Sequence, residues 1–128
     1  MKIMTKEDAP HYARADRITS YLLASPLTCD SEHLTTTLVD IRPGGEQRIH
    51  SHDPEQIYYI LAGSGMMTVG DDEAHVEVGV CIYIPPNVPH GIKNDGKEVL
   101  CYLSAAAPSF EGADLKALWP PLEEDRES

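Results

Sequence analysis

The chain has 128 residues, a length that suits one domain and suffices to bury roughly two thirds of its unfolded surface without disulfide or metal staples. Ten basic residues stand against 21 acidic ones, and the resulting net charge of -11 repels phosphate backbones and anionic membranes, so neither is an expected partner. Cys29, Cys81 and Cys101 are odd in number and lack C-x-x-C spacing, no apolar signal segment precedes them and no apolar run approaches a membrane span, so a reducing cytoplasm with free, mostly buried thiols is expected.

Residues 1–16 read as a polar arm of mixed charge without periodicity, with His11 a solvated imidazole. Residues 18–24, rich in β-formers and leucine, predict a strand closed by a turn at Ser25-Pro26. A Thr-rich strand follows at 34–41, with His33 on the surface at its start, and Pro43-Gly44-Gly45 forces a sharp reversal. Strands at 46–52 and 55–61 flank a short Asp53-Pro54 turn. In the second of these Gln56, Tyr58 and Ile60 share the inward side, whereas Ile57, Tyr59 and Leu61 face the other way. Both sides are apolar, which implies that the outer one is covered by a second sheet or a second subunit, and a homodimer is expected.

Gly63-Ser64-Gly65 marks a turn, 66–69 a strand, and Gly70-Asp71-Asp72 a hairpin into 74–78, which carries His75 on the surface. The apolar strand 81–84 stops at Pro85-Pro86, because proline cannot donate to a ladder. After Asn87 the chain turns inward at Val88-Pro89-His90, with Ile92 on the side of His90, and 98–105 forms the last strand, with Tyr102 facing a pocket. Beyond Pro108 come a short helical stretch at about 112–118 and an acidic tail. Strands recurring every eight to twelve residues or so predict an all-β sandwich or barrel.

The chemistry concentrates in two stretches. On a strand, residues two apart project to one side, so His50 and His52 offer two imidazoles to one point. Gln56 adds a side-chain oxygen and His90 a third nitrogen, a donor set for one divalent metal ion. The same period places Arg48 on the ligand side, where a guanidinium is costly unless it meets an anion. Arg48 is therefore a candidate anchor for a substrate carboxylate or a member of a structural ion pair. Tyr58 and Tyr102 can relay a proton or simply pack with their hydroxyls satisfied.

These stretches resemble the paired motifs of the cupin superfamily. The first falls on Gly44, His50, His52, Gln56 and Gly63, and the second on Gly79, Pro85, Asn87, His90 and Asn94. Gln56 stands where the superfamily usually has glutamate, and Asn87 where it usually has glycine, a mild change because asparagine tolerates the left-handed turn. The resemblance covers about residues 33–105 and implies a single-domain jelly-roll barrel, a double-stranded β-helix, whose metal is held by His50, His52, Gln56 and His90. It also implies an N-terminal strand that crosses to a partner subunit. The three-histidine, one-glutamine set is similar to that of small cupins that act on unsaturated uronates.

Four neutral ligands would leave a divalent ion its full charge, raising its Lewis acidity and favouring oxygen-rich anionic substrates. Zinc, iron, nickel and manganese all suit the set. The expected function is metal-dependent isomerase or lyase chemistry on a small sugar acid or keto acid, with Arg48 orienting the substrate and Tyr58 or Tyr102 moving a proton. Two alternatives are an oxygen-dependent iron or copper dioxygenase and a non-catalytic module that binds or senses a small ligand.

Overall fold

The computed structural model describes residues 1–14 and 17–109. The helical stretch expected at 112–118 and the acidic tail lie outside the described residues. In chain order the strands are β1 (His11–Arg14), β2 (Ile18–Leu22), β3 (Thr35–Ile41), β4 (Glu46–His50), β5 (Glu55–Ala62), β6 (Ser64–Val69), β7 (Asp72–Glu77), β8 (Cys81–Ile84), β9 (His90–Lys93) and β10 (Leu100–Ala107). Among the described residues one short helix, α1 (Pro26–Cys29), interrupts them, where a simple turn was expected. The Ser25 hydroxyl caps it by accepting from the Leu27 and Thr28 amides, and Pro26 fits its first turn because an amide there has no helical partner.

The strands form two antiparallel sheets, ordered β1-β2-β3-β10-β5-β8 and β4-β9-β6-β7. Along β10 every second residue is buried, and the same alternation on β5 places Gln56, Tyr58 and Ile60 inside. Those inward rows meet Met67, Val76 and Ile92 of the smaller sheet in one core. The architecture is the all-β, two-sheet barrel that the strand spacing and the motifs implied.

Motif residues outside the metal set serve this frame. The buried Asn94 amide donates to the carbonyls of Ile41 at 2.8 Å and Glu98 at 2.7 Å, and its oxygen accepts from Gly96 at 3.0 Å. One side chain thereby joins β3 to the loop before β10. Gly63, at φ +76°, lies so close to the backbone that a Cβ would sit 2.4 Å from the Val99 carbonyl oxygen. Asn87 does adopt the left-handed conformation, with φ +63°.

Several expectations need correction. Part of the polar arm is a strand: β1 pairs with β2, and β2 with β3 of the same chain. The cysteines are free, but none is buried and Cys81 is exposed. The outer face of β5 is not covered by the smaller sheet, for Tyr59 and Leu61 are 40% and 45% exposed. Among the described residues no helix is long and apolar enough to cross a membrane.

Candidate metal centre

His50 ends β4, His52 lies two residues beyond it in the connecting loop, and His90 opens β9. The expected common strand for His50 and His52 is therefore only half formed, and convergence comes from a strand end plus a loop. Asn87, in the loop between β8 and β9, holds that arrangement: its backbone amide donates to the His52 carbonyl at 2.8 Å and its side chain donates to Asp53 at 3.3 Å. One potential ligand atom from each of His50, His52 and His90 lies within 4.8 Å of the others.

Each imidazole is oriented by a backbone carbonyl. The Nδ1–H of His50 donates to Arg48 O, that of His52 to Pro54 O and that of His90 to Val88 O, each at 2.9 Å. A carbonyl can only accept, so Nδ1 carries the proton in each ring and Nε2 is the nitrogen that presents a lone pair. The Nε2 of His90 is buried and has no hydrogen-bond partner among the described residues, a state that natural cores avoid unless an ion or water completes it.

Gln56 approaches these rings from β5. Its amide nitrogen donates to Ser104 Oγ, which turns its oxygen to within 2.9 Å of His52 Nε2. With His52 Nδ1 committed to Pro54, that contact brings two acceptors together, which a shared cation would reconcile. The orphaned His90 nitrogen and this acceptor pair fit a metal ion held by His50, His52, His90 and Gln56. Burial, reinforced by the nearby His50 and His52, pushes the His90 pKa down to about 4, even against its bond to Val88. His50 is lowered as well, by burial first and then by His52 and Arg14. Both shifts favour the neutral imidazole that a metal requires.

The imidazoles of His50 and His52 open onto a cavity of about 200 Å³ that Gln56, Tyr58 and Tyr102 also line. The tyrosine rings stack with centroids 4.2 Å apart. Burial pushes the Tyr58 hydroxyl up to about 12, a hydrogen bond with Tyr102 offsetting part of the effect, and burial raises Tyr102 well above the usual phenol range.

Arg48 is not at this cavity: it is exposed, and only its carbonyl serves the site. The cause is a register shift in the β4–β9 pairing between Gln47 and His50, which breaks the period-2 pattern and turns Gln47 and His50 to the same side. The cavity's guanidinium belongs instead to Arg14 of β1, whose Nη2 donates to Gln47 Oε1 at 2.5 Å. Sequence reasoning missed Arg14, Gln47 and Ser104. Ser104 carried a usable signal, since it lies two residues from Tyr102 on one strand. Arg14 and Gln47 carried none, because a bulge and a four-residue edge strand leave no periodicity to read.

Residues 37–106, more than half of the chain, match the family model described as the cupin domain. The chain belongs to the cupin family. An uncharacterized protein of Methanocaldococcus jannaschii is 40% identical to this cupin over 76 residues, 59% of this chain and 61% of that protein. The dimethylsulfoniopropionate lyase DddW of Ruegeria pomeroyi is 29% identical over 79 residues, 62% of this chain and 52% of the lyase. The cupin thus spans about half to three fifths of the length of these curated relatives. Among solved structures, an RmlC-like cupin family protein from M. jannaschii with a double-stranded β-helix fold superposes with a TM-score of 0.68 at 21% identity, over 85% of this chain and 92% of that one.

Proposed function

We propose that this cupin is a mononuclear metal enzyme that carries out non-redox lyase or isomerase chemistry on a small oxygen-rich acid. The observation that carries the reading is the set of three imidazoles, each fixed by a carbonyl at Nδ1, with Nε2 of His90 buried and unpartnered. A bound divalent ion would act as a Lewis acid on a substrate oxygen and so acidify the adjacent carbon. With no carboxylate ligand to offset its charge, such an ion favours an anionic partner. Tyr58 and Tyr102 keep their protons at neutral pH, and from the cavity wall they can donate to an oxygen on which charge develops. The cavity holds roughly seven water volumes, which suits a compact metabolite such as a sugar acid or keto acid. The likeness to DddW, a lyase of a small carboxylate, supports an elimination within this class.

The reading extends to a soluble homodimer formed through the outer face of β5, where Tyr59 and Leu61 are exposed and Ile57 pairs with the exposed Tyr83 of β8.

The test is to load the protein with zinc, nickel, manganese or ferrous iron and to follow unsaturated uronates, keto acids and dimethylsulfoniopropionate with and without oxygen. Product formation without oxygen uptake, lost on chelation and in a His52→Ala variant that no longer retains metal, is the expected result. Turnover strictly tied to oxygen uptake would replace the reading with a dioxygenase. Ligand-induced thermal stabilisation without any product would replace it with a binding module.

A further inference from the structure

We propose that Arg14 is the anchor for a carboxylate group of the ligand, so that the cavity selects small carboxylate anions over their neutral analogues. Arg14 comes from β1, outside the residues 37–106 that the family model covers. The inference rests on the metal-dependent reading above, in which a second oxygen of the same ligand meets the metal.

The argument is one of unmet charge. A guanidinium is always protonated and offers five donors in a fixed fork. Among the described residues Arg14 makes no ion pair, and its side-chain hydrogen bond goes to a neutral amide oxygen, that of Gln47. Its Nε is buried without a partner. Among the described residues no aspartate or glutamate lines the cavity. A half-buried cation with no counter-ion among the described residues is costly, and a carboxylate is the group that fits it, accepting N–H bonds from the guanidinium and cancelling the charge.

Position then narrows the ligand. Gln47 accepts from Arg14 through its oxygen, while its nitrogen lies 3.4 Å from His50 Nδ1, so a single side chain separates the guanidinium from a candidate metal ligand. A cavity of about 200 Å³ leaves room for a compact acid whose carboxylate sits on Arg14 and whose carbonyl or hydroxyl oxygen faces His50, His52 and Gln56. A carboxamide in the same place turns an N–H toward the guanidinium and is rejected. The four-residue strand β1 therefore determines substrate choice, whereas the family motifs build the metal set.

The test is calorimetric titration of the zinc-loaded protein with pyruvate and D-galacturonate, each paired with its neutral amide, alongside metal analysis. The wild type is expected to prefer the carboxylate by about 10- to 100-fold, the range for a hydrogen bond to a charged group. Arg14→Gln removes that preference while metal content stays unchanged. Arg14→Lys, which keeps the charge and loses the fork, weakens carboxylate binding about tenfold. The inference is overturned if the wild type shows no carboxylate preference, if Arg14→Gln keeps it, or, should that variant fail to fold, if Arg14→Lys binds as the wild type does. A wild type that prefers carboxylates yet retains no metal would sink the metal reading and leave the role of Arg14 standing.

Discussion

A histidine with one ring nitrogen tied to a carbonyl and the other sealed from water resists a second proton, and His90 is such a residue. In the unfolded chain its imidazole protonates near 6.5, whereas in the fold it waits until about 4. Between those values the unfolded state binds more protons, so stability falls as pH drops, by about 1.4 kcal/mol per unit at most, and the contribution is gone below about 4. Denaturant melts of the metal-free protein from pH 7 to 4 are expected to show this slope, and His90→Asn to flatten it. At this scale the sequence was informative wherever spacing alone decides: His50, His52, Gln56 and His90 do come together. It misled at Arg48, because alternation assumes an unbroken strand and β4 slips between Gln47 and His50. Arg14 stayed invisible because nothing local marks a charged residue on a short edge strand as inward-facing.

Between the elements, the loop from Pro85 to His90 has as much to do with the site as the strands it joins. Asn87 takes a left-handed conformation there and is hydrogen-bonded to the loop that carries His52. Alanine at that position meets the steric cost of φ +63° and loses the contact with Asp53, so Asn87→Ala is expected to destabilise the protein by about 1–2 kcal/mol, and Asn87→Gly by less. Thermal melts of the two variants would separate the backbone contribution from that of the side chain. The strand order was readable in outline because turn residues and alternating runs mark most boundaries to within a few positions. The exceptions have physical causes. The strand β1 exists through its pairing with β2, a tertiary effect, and α1 is a single capped turn too short to show a helical period.

For the whole molecule, the six-stranded sheet leaves an apolar outer surface on which Tyr59, Leu61 and Tyr83 are each at least 40% exposed. The homodimer proposed above predicts that Tyr59→Lys together with Leu61→Lys yields a monomer by sedimentation, with metal content unchanged, since both side chains point away from the cavity. A dimer that persists in this double variant would place the interface elsewhere.

The described residues that line the cavity include no acidic side chain, in a protein whose surplus of acidic residues gives it a net charge of -11. An approaching anion thus crosses a repulsive field before it reaches a receptive pocket, so capture is slowed at long range and rewarded only at contact. Added salt shortens the reach of the repulsion to about 10 Å at 0.1 M and leaves the buried contact less affected. Stopped-flow association of a carboxylate ligand should accelerate as ionic strength rises, the reverse of the usual behaviour for oppositely charged partners, and the cell's own salinity would then help set how quickly this cupin fills.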